Sequence, residues 1–129
     1  MQPESQNKLF KKYPLLFRQK DLSLQETAMC WGLECPESWY YIIDNMCDVI
    51  QYYIDNNPHL NIPQVEFTQV KEKFGFGHFY YTGGDDKIHG IVQFAEYLTF
   101  SICAECGSNK NVKATKGWIT YLCKDCYGK

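Results

Sequence analysis

An α+β fold follows from three features of this sequence. Two stretches carry apolar residues at helical spacing, a pair of β-rich segments flanks a glycine turn between them, and two Cys-x-x-Cys pairs stand near the C-terminal end. Each amphipathic helix must bury one face, and a small antiparallel hairpin or sheet offers the surface for it. The cysteine-rich end is too short to hold itself by core packing alone. The expected organisation is an α+β body with an N-terminal arm over residues 1–102 and a separate module over 103–129.

In chain order, the polar residues 1–8 read as a frayed start. Asn7 to Phe17 follows as a short helical turn, broken by Pro14, and an apolar segment that docks on the body. Leu22-Ser23-Leu24 has a weak strand alternation and leads into an irregular loop through Trp31-Gly32. The clearest helix starts at Pro36, with Trp39, Ile43, Met46, Cys47, Ile50, Tyr53 and Ile54 on its apolar stripe. Asp44, Asp48, Gln51 and Asp55 form its wet stripe, and Asn56-Asn57-Pro58 ends it.

Next comes a strand in which Val65, Phe67 and Gln69 face one way and Glu66, Thr68 and Val70 the other. A turn at Gly75-Phe76-Gly77 leads to the strand His78–Thr82, giving a hairpin. After Gly83-Gly84, Asp85 or Asp86 caps a second helix whose stripe of Ile88, Ile91, Val92, Ala95, Leu98, Thr99 and Ile102 runs into Cys103.

Composition is that of an ordinary soluble globular chain, 45% apolar and 22% charged. No apolar stretch is long enough to span a bilayer and the first residues lack a signal-peptide core, so a cytoplasmic protein with no membrane contact is expected. An odd count of seven cysteines argues against a paired disulfide framework and for a reducing setting. The net charge of −2 hides a division: residues 1–20 carry +4, residues 21–102 carry −9 and residues 103–129 carry +3. An acidic body with basic ends is a poor duplex DNA binder, because phosphate contacts need concentrated cationic surface.

Cys103-Ala104-Glu105-Cys106 and Cys123-Lys124-Asp125-Cys126 are separated by sixteen residues. A two-residue gap lets both thiolates of a pair face one ion, and two such pairs complete a tetrahedral zinc site. Gly107 and Gly128 follow their pairs where a turn favours positive φ, and Thr115-Lys116-Gly117 precedes the strand-like Trp118–Leu122. This is the pattern of a zinc ribbon with one structural ion and no open coordination position. A redox dithiol is the competing reading. Cys30 and Cys35 bracket a tight loop where a second metal site with a histidine is conceivable, while Cys47 sits where a buried thiol is the ordinary occupant.

Outside the cysteines, the densest chemistry lies between Val70 and Tyr81. Lys71, Lys73, Phe74, Phe76, His78 and Tyr80 are the candidate ligand- or partner-binding residues, since lysines beside aromatics at a glycine turn can stack a base and hold a phosphate. A hairpin with its aromatics in the core and its lysines in water is the structural alternative. No catalytic motif is present, and no base can be assigned to a nucleophile.

The motifs Trp31-Gly32-Leu33-Glu34-Cys35, Val70 to Gly75 with Phe79-Tyr80, and Cys103 to Cys126 together resemble a family of short, largely uncharacterised phage and bacterial proteins, over about residues 28–126. His78 stands where that family commonly carries arginine. The resemblance implies a mobile-element setting, where small accessory or anti-defence proteins bind host proteins stoichiometrically. A binding protein for a host protein is therefore the leading expectation. A pocket for a nucleotide or other anionic small molecule is the second, and a nucleic-acid-binding regulator using the basic ribbon is the third.

Overall fold

The structure is a computed structural model that describes residues 1–128. The chain begins with a helix, α1 (Pro3–Lys12), where a frayed arm was expected. Proline in the first turn, Glu4 beside it and Lys11 and Lys12 at the far end all suit the helix dipole. Leu9 and Phe10 are buried, and Gln2 N–H and the Ser5 hydroxyl both donate to the Glu37 carboxylate. These long-range partners order residues whose polarity alone reads as loose. Pro14 ends the helix as expected, and Leu16 and Phe17 dock in the core. Leu22-Ser23-Leu24 forms no strand: the Ser23 carbonyl accepts from the Glu26 and Thr27 N–H groups, closing a turn that leaves both leucines exposed.

The sheet has three strands in the order β1 (Leu33–Glu34), β2 (Glu66–Lys73), β3 (Phe76–Thr82). β2 and β3 are the expected antiparallel hairpin, but β1 adds a parallel pairing, Leu33 to Val70 and Glu34 to Lys71, that makes the sheet mixed. A parallel pair needs a crossover, and here α2 (Tyr40–Asp55) lies within it. The face alternation expected for β2 also changes. A register shift between Phe67 and Gln69 inserts one residue, so Phe67 and Val70, three apart, are both buried. The turn is one position earlier than expected, at Phe74-Gly75, with φ of +57° and +87°. Positive φ at both central residues is what a type I′ two-residue hairpin turn requires.

Ile42, Ile43, Met46, Cys47 and Ile50 of α2 and Ile88, Val92 and Ala95 of α3 (Asp86–Leu98) are buried in one core with Phe67, Val70 and Phe79 of the sheet. Trp39, fully buried before α2, meets Phe79 edge-on with ring centroids 6.3 Å apart. Asp85 caps α3, its Oδ1 accepting from Ile88 N–H. The helix stops at Leu98 and tightens into a single 3-10 turn over Thr99–Ser101 before Cys103. Among the described residues, no helix is long and apolar enough to cross a membrane.

Both sheet edges are closed by helix groups, which removes the usual hazard of unpaired strand donors. On the β1 side, Gln6 Oε1 of α1 accepts from Leu33 N–H at 2.8 Å. Gly32 allows that approach, because its φ of +76° suits glycine and a Cβ would collide with the Gln6 amide. On the β3 side, the outward N–H of Phe79 donates to Glu96 Oε2 (2.8 Å) and that of Gly77 to Thr99 Oγ1 (2.9 Å). Thr99 is fully buried and its hydroxyl donates onward to the Glu96 carbonyl. Thr99→Val keeps the shape and orphans a buried N–H, so it is expected to cost about 1–3 kcal/mol in a urea titration, with Thr99→Ser recovering most of it. A cost near zero would mean that this edge is not held by the threonine.

Candidate functional site

The four cysteines of the two Cys-x-x-Cys pairs converge. Their sulfurs all lie within 4.8 Å of one another, and Cys106 and Cys123 Sγ are 3.7 Å apart. A tetrahedron of thiolates about 2.3 Å from a metal has edges of about 3.8 Å, so the sulfur cage has the size of a metal site. Local backbone builds each half. Cys103 N–H donates to Ser108 O, and Gly107, at φ +80°, turns back to donate to Cys103 O. Gly128 does not take the left-handed conformation expected of it, at φ −95°, because the second pair opens the short helix α4 (Lys124–Tyr127) instead of a turn. At Cys103, backbone N–H groups of Cys106, Cys123 and Glu105 point at the sulfur, the donors that a metal-bound thiolate accepts from.

Little else holds this module together. Its strands β4 (Lys113–Ala114) and β5 (Tyr121–Leu122) share two residue pairs. The strand expected over Trp118–Leu122 is confined to its last two residues, because Thr115 Oγ1 accepts from Thr120 N–H and donates to Trp118 O, folding the intervening loop outward. Trp118 is 87% exposed. Docking to the body comes from Ser38, whose hydroxyl donates to Ala104 O (3.1 Å), and from the hairpin tip. Gly75 lies so close to the ribbon that a Cβ would stand 3.0 Å from Ile119 and from the Tyr121 ring.

The remaining cysteines form no metal-ligating cluster among the described residues. Burial pushes the Cys35 thiol up to about 12 and Cys47 well above the ordinary value, so both stay protonated. Cys30 is exposed.

The six hairpin candidates separate into two groups. Lys71, Lys73, Phe76, His78 and Tyr80 share the outer face of β2–β3, paired as Gln69 with Tyr80, Lys71 with His78 and Lys73 with Phe76. They do not converge on a closed pocket. His78 lies between Phe76 (4.3 Å, rings tilted by 41°) and Tyr80 (6.4 Å, stacked), and its Nε2–H donates to Lys73 O at 3.1 Å. Phe76 in turn stacks on Phe100 (4.6 Å), which meets Tyr121 of β5 edge-on (5.2 Å). An aromatic ladder thus runs from the sheet to the ribbon. Neither lysine is in an ion pair among the described residues, and the acidic stripe of α2 is not their partner: Asp44 takes Lys12 at 2.9 Å.

Phe74 stands apart at the tip, 64% exposed, with Lys73 Nζ 5.3 Å from its ring centroid. Across from it lies the ribbon loop. Glu72, Lys73, Phe74, Gly117, Trp118 and Ile119 line a cleft of about 530 Å³ between hairpin tip and ribbon. Trp118, Ile119, Phe100 and Tyr121 are the residues that sequence reading did not place here. A tryptophan one residue past a glycine turn, in a module with almost no core, was the available signal. No family model, curated protein or solved structure matches this chain.

Proposed function

We propose that this protein is a non-enzymatic binding protein that engages a protein partner stoichiometrically through Phe74 and Trp118, with the ribbon pinned by zinc. Phe74 carries the reading. An aromatic residue at φ +57° pays roughly 1–2 kcal/mol that glycine would not, and its ring then stands in water. A costly backbone conformation that exposes a large apolar ring next to an exposed tryptophan is explained by contact with a partner, where aromatic anchors supply much of the binding energy. Zinc is the ion because four thiolates at this spacing suit a tetrahedral, redox-inert metal, and the closed site supplies structure in place of catalysis. The mobile-element setting implied by the motif resemblance agrees with a small accessory binder.

Capture from a lysate of cells that carry the gene tests this. Trp118→Ala and Phe74→Asn are each expected to stay folded and metal-loaded while losing the captured partner by about tenfold or more. Phe74→Asn gives the asparagine–glycine pair that such turns favour, so its stability should hold or rise by up to about 1 kcal/mol. Undiminished capture by both variants would refute the reading. An anionic small molecule is the second reading, favoured by two lysines on one strand face without ion pairs among the described residues, beside the aromatic rings of His78 and Tyr80. It predicts instead a small adduct in native mass spectrometry that is lost in Lys71→Ala/Lys73→Ala and kept in Phe74→Asn.

A further inference from the structure

The ribbon carries a second cleft, of about 660 Å³, that shares no residue with the cleft of Phe74 and Trp118. Asn111, Lys113, Leu122, Lys124, Tyr127 and Gly128 line it. Local structure brings them together. Lys113 of β4 pairs with Leu122 of β5, and Lys124 opens α4 two residues later. Tyr127 follows Lys124 by three, so the two stand on one side of that helical turn. Both lysines are exposed and in no ion pair among the described residues. Glu105 and Asp125, the acids of the ribbon, are absent from the lining. None of the four metal-site cysteines lines it either, and at Cys103 the donors to sulfur are backbone N–H groups, so both ammonium groups are left to the cleft.

Two unpaired cations beside a solvent-facing ring suit a ligand that is both anionic and planar. That is a nucleotide, with its phosphate on the lysines and its base on Tyr127. Asn111 adds an amide donor and acceptor for a base edge. The surroundings say how the nucleotide is presented. Lys110, next to Asn111 in the chain, is exposed and also without an ion pair among the described residues, so cationic surface continues past the cleft as a run of phosphates needs. A duplex fits poorly, because its stacked bases leave no free face for Tyr127. It also needs a broader cationic surface than a ribbon joined to a body that carries −9 over residues 21–102. We infer that the ribbon cleft binds single-stranded nucleic acid, one base stacked on Tyr127 and the flanking phosphates on Lys113 and Lys124. This site is separate from the Phe74–Trp118 cleft and from Lys71 and Lys73, and each stands or falls independently.

Fluorescein-labelled oligothymidylate and oligouridylate of about ten nucleotides test this by anisotropy, titrated with the metal-loaded full-length protein at several salt concentrations. At least one is expected to bind at roughly 10–100 μM in low salt, and log Kd should rise with log salt at a slope of about 1.4 or more, as two phosphates of a single strand require. Lys113→Gln and Lys124→Gln should each lower that slope by about 0.7. Tyr127→Leu should weaken binding about tenfold at unchanged slope, and Tyr127→Phe should bind as the wild type does. All three positions are exposed, so each variant should keep its metal, which a colorimetric assay checks. Phe74→Asn and Lys71→Ala/Lys73→Ala should leave binding unchanged. Failure of both oligonucleotides to bind, a slope indifferent to both lysine substitutions, or equally tight binding of a duplex of the same length would overturn the inference. So would thymidine monophosphate binding as tightly as the oligonucleotide, which would assign the cleft to a free nucleotide.

Discussion

Cys106→Ser is expected to release the metal and melt the ribbon, leaving residues from about 103 onward open to protease while α2, α3 and the sheet stay folded. The size of the effect follows from what each part has to hold it. The body buries a continuous core from Leu9 to Ala95. The ribbon has one pair of strands joined by two residue pairs, and among its described side chains only Cys103 and Cys123, themselves metal-site residues, are buried. Structural zinc supplies an apparent 10–16 kcal/mol, about an order of magnitude more than two backbone pairs provide. Wild-type protein should contain one metal ion per chain, and a chelator should reproduce the variant's digestion pattern. Metal-free protein with a protected tail would show that the sulfurs are only neighbours.

Phe100→Ala is expected to cost about 2–3 kcal/mol and to loosen the ribbon without expelling the metal. Phe100 stands between Phe76, Tyr97 and Tyr121, at 4.6, 6.1 and 5.2 Å between centroids, so its removal breaks the stack that joins hairpin to ribbon. The sulfur cage lies beyond this stack and keeps its own ligands. A denaturant titration with a colorimetric metal assay separates the two effects, and Phe100→Leu should recover about half the loss. A cost below about 0.5 kcal/mol would mean that the ribbon is tethered by the chain alone.

The parts of this fold that were legible in the sequence are those whose signal is local. The stripes of α2 and α3, the Asp85 cap and the paired cysteines each declare themselves within a few residues. What escaped depends on distant partners. β1 has two residues, too few for any periodicity, and exists because Val70 and Lys71 offer it an edge. One inserted residue near Thr68 turns Val70 inward against the expected alternation. The start of α1 is anchored by Glu37, more than thirty positions away. For the candidate site, Lys71, Lys73, Phe76, His78 and Tyr80 come to one face of the hairpin because strand register is local once the turn is fixed. The ribbon's share of the site was not legible, because Trp118 and Ile119 reach Phe74 only after the metal module folds against the tip.

The contact between Gly75 and Tyr121 decides whether the ribbon and the hairpin tip form one surface. In metal-loaded protein, nuclear Overhauser effects between the Gly75 α-protons and the Tyr121 ring are expected, since a Cβ placed on that glycine would stand 3.0 Å from the ring. They should vanish on chelation, when the ribbon melts. Their absence from the loaded protein, or their survival after the metal is removed, would contradict a metal-built ribbon that completes the Phe74–Trp118 cleft.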